Sequence, residues 1–193
     1  MRITSGAENV TLADDVAGVA DRLARMAPNA IRICTVTVSD TRTRANDDSG
    51  RTCSELLEAA GHRIVRYIII KDDPKYIQEL VRDVSDANVC DAIVVNGGTG
   101  ITKRDNTHEA LEGIFEKRID GFGEAFRRLS WDDFGPRAIL TRATAGVFNS
   151  CVVFSLPGSP NAVRLGVTKL VLPVLAHAVD LAQGRATHRT TLA

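Results

Sequence analysis

Three short runs rich in β-branched residues, IRICTVTVSD from Ile31, HRIVRYIIIK from His62 and DAIVVN from Asp91, are each followed by a stretch with helical spacing. Apolar runs of this length bounded by polar residues read as buried strands. In the first helical stretch Cys53, Leu56, Leu57 and Ala60 share a face, with Ser49 as the expected cap and Gly61 as the stop. In the second, Asp73-Pro74 supplies an N-cap and a first helical residue, and Ile77, Leu80, Val81 and Val84 mark the buried side. A third helix is expected to begin at a Thr107 cap. This β-α-β-α-β-α order predicts an α/β fold of three layers, a mostly parallel central sheet with helices on both faces.

Further along, GFGEAFRRLS (121–130) places Phe122, Ala125, Phe126 and Leu129 at helical spacing. AGVFNSCVVFSL (145–156) predicts two strands that turn at Asn149-Ser150. Ser159-Pro160 opens a last helix, which Pro173 should kink by removing a hydrogen bond and clashing with the preceding turn. Ahead of the first strand, LADDVAGVADRLARM (12–26) has helical spacing. The expected organisation is therefore an N-terminal extension with an accessory helix over 1–30 and a single domain over 31–193, whose polar tail after Gly184 frays.

Composition narrows the function. Equal numbers of acidic and basic residues, 24 of each, argue against a broad basic face for nucleic acid. No run of about 18 apolar residues suggests a membrane span. The first thirty residues carry Glu8, Asp14, Asp15 and Asp21 without an apolar core segment, which is unlike a secretory signal and points to the cytoplasm. Cys34, Cys53, Cys90 and Cys151 form no CxxC pair and should be reduced, buried small hydrophobes. The four histidines are equally scattered and give no zinc pattern.

In open α/β sheets, ligands bind beyond the carboxyl ends of the strands. That rim should gather Ser39 to Arg42, Lys71 to Asp73, Gly97 to Asp105 and the SLPGSP segment (155–160). GGTG (97–100) is neither of the familiar phosphate motifs: Lys103 stands where a dinucleotide loop needs its third glycine, and Ile101 where a Walker loop needs lysine. What remains is the physics those motifs share. Residues without Cβ let backbone N–H groups approach an anion, and Thr99, Lys103 and Arg104 add a hydroxyl and positive charge. Asp105, not needed as a cap if Thr107 serves, should project toward Asp72 or Asp73. Carboxylates beside an anion-binding turn suit a Mg²⁺–nucleotide, because Mg²⁺ takes few protein ligands and fills its shell with water and phosphate oxygens. The plainer reading is a tight turn with a solvated charge cluster. Capping alone would account for Asp73, helix-start stabilisation for Asp48, and a turn plus helix start for SLPGSP.

VSDTR (38–42), DDSG (47–50), KDD (71–73), GGTGITKRDNTHEA (97–110), GFGEAFR (121–127), TRATAG (141–146) and SLPGSP occur in the order found in MoaB/MogA-type molybdenum cofactor biosynthesis proteins. The resemblance spans residues 31–183 and is closer to MoaB. It implies a molybdopterin-binding-domain fold and an adenylyltransferase, a nucleotidyltransferase using Mg²⁺ and ATP to adenylylate the terminal phosphate of molybdopterin. Asp72 and Asp105 would be the critical carboxylates and the Mg²⁺ ligands. Pterin and phosphate contacts would come from Ser39, Asp40, Asp48, Ser49, Gly97, Gly98, Thr99, Gly100, Arg104, Glu109, Pro157, Gly158 and Ser159. It also implies a homotrimer or hexamer, with other enzymes of the cofactor pathway as partners. Phe122, Phe126 and the first helix are candidates for subunit contacts, or equally for the core of one subunit. Where the family usually has Thr-Pro-Glu, this chain has Thr107-His108-Glu109. Two alternatives stay open: a member that binds the pterin without transferring AMP, and a CinA-like nucleotide hydrolase, which shares the GGTG core.

Overall fold

Six strands, β1 (Arg32–Val38), β2 (Arg63–Ile70), β3 (Ala92–Asn96), β4 (Lys117–Arg118), β5 (Thr144–Phe148) and β6 (Cys151–Leu156), form one sheet in the computed structural model. Their order is β2-β1-β3-β6-β5-β4, with β2, β1, β3 and β6 mutually parallel and β5 antiparallel to both β6 and β4. The helices are α1 (Asp48–Ala59), α2 (Pro74–Asp86), α3 (Thr107–Glu112), α4 (Asp120–Phe134), α5 (Pro160–Gly166) and α6 (Leu172–Ala182). The structure describes residues 30–185; the helix expected over 12–26 and the polar tail lie outside the described residues.

Side chains alternate across the parallel strands and build a core on each face. On one face Ile33, Val94, Val152 and Phe154 meet Cys53 and Leu57 of α1, Phe122 and Phe126 of α4, and the stripe Val163, Val167, Val171, Leu175 and Val179. On the other, Cys34, Val36, Ile93, Val95 and Val153 meet Ile77, Leu80, Val81 and Val84 of α2 and Leu111 of α3. Phe122 and Phe126 are thus buried inside the chain, the ring of the former 5.4 Å from that of Phe154 and tilted by 50° to it, which makes them core residues and not subunit contacts. All four cysteines are free and buried.

The local stops behave as their chemistry requires. Gly61, at φ +85°, ends α1: its N–H bonds to Glu58 O, and His62 N–H bonds to Leu57 O, the paired closure of a Schellman motif. Asp73 caps α2 through Lys75 N–H at 2.9 Å. Asn149 and Ser150 both have positive φ, as the two-residue turn between β5 and β6 demands. At the C-terminus the helix does not simply kink. A π segment, Val167–Val171, separates α5 from α6 and places Pro173 in the first turn of α6, where its missing N–H is harmless. The continuous helical span Pro160–Ala182 is long and apolar enough to cross a membrane by length and composition, although no unbroken apolar run is present. Its apolar stripe is packed on the sheet.

The cap of α1 differs from expectation. Asp47, not Ser49, is the N-cap, accepting Gly50 N–H at 2.9 Å. Its carboxylate is fully buried and also takes hydrogen bonds from Ser49 Oγ (3.0 Å), Tyr67 OH on β2 (2.6 Å) and Thr37 on β1. Burial alone would push this carboxyl up, but those four donors outweigh it and hold it below its ordinary value. Asp47→Ala is therefore expected to cost on the order of 3 kcal/mol, since it strands several buried donors. Urea unfolding at pH 7 measures this. Because the folded pKa is depressed, the contribution is complete above about pH 4 and fades as pH falls through the folded value, so the gap between wild type and variant should narrow in acid.

Candidate functional site

The four parallel strands end at Val38, Ile70, Asn96 and Leu156, so the loops that follow them meet at one edge. Asn96, fully buried, fixes the end of β3 by donating from Nδ2 to Val36 O (3.2 Å) and Thr37 Oγ1 (3.0 Å) on β1. The chain then leaves through Gly97 at φ +104° and Gly98 at φ +64°. A Cβ on Gly97 would lie 2.2 Å from Val38 O; one on Gly98 would lie 2.2 Å from Thr107 Oγ1 and 2.5 Å from Asp72 Oδ2. From the other side the Pro157-Gly158 turn approaches so closely that a Cβ on Gly158 would be 3.1 Å from Gly97 Cα, and Gly97 N–H bonds to Leu156 O at 3.0 Å. The GGTG and PGSP segments are therefore one structure.

Asp72 and Asp105 flank this turn. Asp72 Oδ1 accepts Asn106 N–H at 3.0 Å, which leaves Oδ2 beside Gly98. Asp105 Oδ2 accepts Thr102 N–H at 2.8 Å and sits so near Gly100 that a Cβ there would be 2.7 Å away. Burial pushes the Asp72 carboxyl up, and repulsion from Asp105 and Asp40 adds to it against the bonds from Asn106. A carboxylate in that condition is one a cation would relieve. Among the described residues no group of three or more His, Cys, Asp or Glu is arranged to hold a metal ion. Two carboxylates, each with an oxygen to spare, beside glycines that leave no side chain in the way fit Mg²⁺ carried with phosphate oxygens, not a metal caged by protein alone.

Of the other predicted residues, Asp40 forms an ion pair with Arg104, joining the loop after β1 to the loop after β3. Ser39 Oγ accepts Thr41 and Arg42 N–H within its own turn, both at 3.2 Å. Thr99 is buried. Ser159 Oγ accepts Ala162 N–H at 3.2 Å and caps α5. Asp48 and Ser49 are used locally: Asp48 is exposed and pairs with Arg51, while Ser49 serves Asp47. Asp73 caps α2, as the plainer reading had it.

Thr107 is not a cap. It is the first residue of α3, buried, with its N–H on Gly98 O at 3.1 Å. Asn106 holds the cap position but gives its side chain to Asp72 O and Arg104 O instead of to the helix. Glu109 pairs with Arg142, whose hydrogen bond holds the Glu109 carboxyl below its ordinary value. Thr107 Oγ1, Asn96 Oδ1, Ser155 Oγ and Thr141 Oγ1 are buried without a hydrogen-bond partner. Polar atoms left so are costly, by about 1–3 kcal/mol each.

Beside the PGSP turn lies an open groove of about 350 Å³, lined by Phe126, Ser130, Phe134, Thr141, Pro157 and Ser159 among others. Aromatic walls with a few hydroxyls suit a flat heterocycle. Arg142, Asn96 and Asp47 escaped the sequence reading. Asp47 and Arg142 stand in DDSG and TRATAG, and Asn96 is the polar residue that ends an apolar strand just before the glycines.

Gly98→Ala combines an unfavourable backbone with a collision against Asp72, so it should lower stability by at least about 1–2 kcal/mol. Urea unfolding tests this, and an unchanged midpoint would contradict the close approach.

A probable molybdopterin binding domain family matches residues 34–177. Molybdenum cofactor biosynthesis protein B of Bacillus cereus is 48% identical over 154 residues, 79% of this chain and 91% of the relative. A crystal structure of a molybdenum cofactor biosynthesis protein B superposes with a TM-score of 0.79 at 46% identity, covering 82% of this chain and 99% of that one. The tungsten cofactor synthesizing protein MoaB from Pyrococcus furiosus superposes with a TM-score of 0.74 at 36% identity, covering 83% and 100%.

Proposed function

The chain belongs to the MoaB-type proteins of molybdenum cofactor biosynthesis, and from that membership we propose that its rim binds molybdopterin and Mg-ATP and transfers AMP to the pterin. The observation that carries the reading is the approach of Asp72 to Gly98 and of Asp105 to Gly100, the two near enough that the charge of Asp105 adds to the burial that pushes the Asp72 carboxyl up. An oxygen of the terminal molybdopterin phosphate attacks the α-phosphorus of ATP; the bond from that phosphorus to the β-bridging oxygen breaks, and pyrophosphate leaves. Such a transfer is mainly positioning and charge neutralisation, so no nucleophilic side chain is required. Mg²⁺, when bound, neutralises the phosphate oxygens. The chain's own residues would do the rest: Asp72 and Asp105 would hold the cation, and the N–H groups of Gly98, Thr99 and Gly100 would meet the phosphates, Gly97 N–H being spent on Leu156 O. Lys103 and Arg104 draw them in, and the groove beside Pro157, Gly158 and Ser159 seats the pterin.

The same membership supports a trimeric or hexameric assembly. Trp131, Phe134, Ile139 and Leu140 are large apolar residues left exposed around the end of α4 and the 3₁₀ turn Gly135–Leu140, and they replace Phe122 and Phe126 as the contact candidates.

The test is pyrophosphate release with purified molybdopterin, ATP and Mg²⁺. Wild type should release it, chelation should stop the release and Mg²⁺ should restore it. Asp72→Asn and Asp105→Asn should each slow release by at least about 100-fold while changing stability little, since asparagine keeps the shape and an acceptor oxygen. Pterin binding with no pyrophosphate release would make the protein a binder, and full activity in Asp105→Asn would remove that residue from the site.

A further inference from the structure

Arg142 lies between the 3₁₀ turn and β5, and it reaches the loop after β3 at both ends. Its Nε donates to Gly100 O at 2.7 Å and its Nη2 to Asp105 O at 3.0 Å, while Nη1 pairs with the Glu109 carboxylate. Its backbone N–H bonds to Thr99 O at 3.0 Å, and its own carbonyl lies 3.0 Å from His108 Nδ1. A carbonyl only accepts, so Nδ1 carries the proton. One residue thus holds the segment from Thr99 to Glu109 at five points.

Past Asn106, which gives its N–H and its side chain to Asp72, and Thr107, whose N–H bonds to Gly98 O, the segment has few other supports. Of these only the Asn106 side chain, on Arg104 O, reaches the excursion from Ile101 to Arg104. Ile101, Thr102, Lys103 and Arg104 are exposed. Inside the loop, Thr102 and Asp105 exchange two bonds, Thr102 N–H to Asp105 Oδ2 at 2.8 Å and Asp105 N–H to Thr102 O at 3.1 Å. These shape the excursion without saying where it stands. The Arg104–Asp40 pair ties it outward, but Arg104 is 72% exposed and a surface pair contributes about 0–1 kcal/mol. Gly100 O and Asp105 O are the two ends of the excursion, and only a planar guanidinium has donors spread to take both together with Glu109. None of those donors goes to a carboxylate oxygen of Asp72 or Asp105, so both remain available to a cation.

We propose that Arg142 is the positioning residue of this site: by clamping Gly100 O and Asp105 O it fixes where the Asp105 carboxylate stands relative to Asp72, and His108 is its second anchor. The inference rests on the reading that Asp72 and Asp105 receive Mg²⁺ with a nucleotide.

Two measurements on the full chain separate the inference from that reading. The first is calorimetric titration with the α,β-methylene analogue of ATP in the presence of Mg²⁺. The second is amide hydrogen exchange, which needs no ligand. Arg142→Met should weaken analogue binding by about 10- to 100-fold, the usual loss when the support of a metal ligand is removed. It should speed exchange at the Thr102 and Asp105 amides while leaving the β1 and β3 amides as in wild type. Arg142→Lys, which keeps the charge but not the fork, should fall between the two. His108→Ala should move both readouts the same way to a smaller extent. If Arg142→Met binds the analogue as tightly as wild type with unchanged loop exchange, the proposal fails. It also fails if exchange rises equally across the sheet, for then Arg142 is only a general brace. If wild type does not bind the analogue, the nucleotide reading is wrong, and exchange at Thr102 and Asp105 alone decides whether Arg142 holds the loop. Should Arg142→Met not fold, Arg142→Lys and His108→Ala carry the decision, and wild-type loop exchange in both overturns the proposal.

Discussion

Two consecutive positive-φ residues at the end of β3 are the condition on which the rim rests. Gly97 passes the last carbonyl of β1 with no room for a Cβ, and Gly98 passes Thr107 and Asp72 in the same way. Gly158 closes against Gly97 from β6. Any side chain at these points would separate the loops that the parallel sheet brings together. The absence of atoms is what lets β1, β2, β3 and β6 contribute to one place, in a backbone geometry that larger residues seldom adopt.

Two aspartates near this edge show how surroundings assign roles to identical side chains. Asp47 is buried more completely than Asp72, yet its carboxyl is held low, because four donors converge on it. Asp72 is only partly buried, yet burial pushes it up with the negative charges of Asp105 and Asp40 behind it, because Asn106 alone supplies bonds to oppose them. The first is a satisfied structural anchor that joins α1, β1 and β2. The second keeps an electrostatic debt that a cation would settle. Burial does not separate the two; the balance of donors against neighbouring charges does.

What the sequence disclosed and what it hid divide by the range of the interactions involved. The strand runs, the α2 stripe, the Asp73-Pro74 start, Gly61 and the Asn149-Ser150 turn are determined within a few residues, and all appear as read. Asp72 and Asp105 share one rim because the parallel strands β2 and β3 end on the same edge of the sheet. Cap positions slipped by one or two residues where polar candidates crowd together, Asp47 for Ser49 and Asn106 for Thr107. There the choice depends on Tyr67, Thr37 and Asp72, which are distant in sequence. The exposed pair Lys117–Arg118 carries no strand pattern, so β4 and the antiparallel edge it completes were invisible. Arg142 acts on Gly100 across 42 residues and could not be read from its neighbours.

The position of β6 has a consequence for how the protein comes to exist. This strand arrives after β4 and β5 in the chain, yet it inserts beside β3, between the earlier strands and the antiparallel edge. It brings the turn that packs on Gly97, and Arg142 comes from the segment just before β5. Contacts of such long sequence separation must meet their loop-closure entropy before they stabilise the sheet. The rim is therefore absent from any partly folded chain lacking its last strand, and occupancy of the rim draws the folding equilibrium only toward the finished molecule.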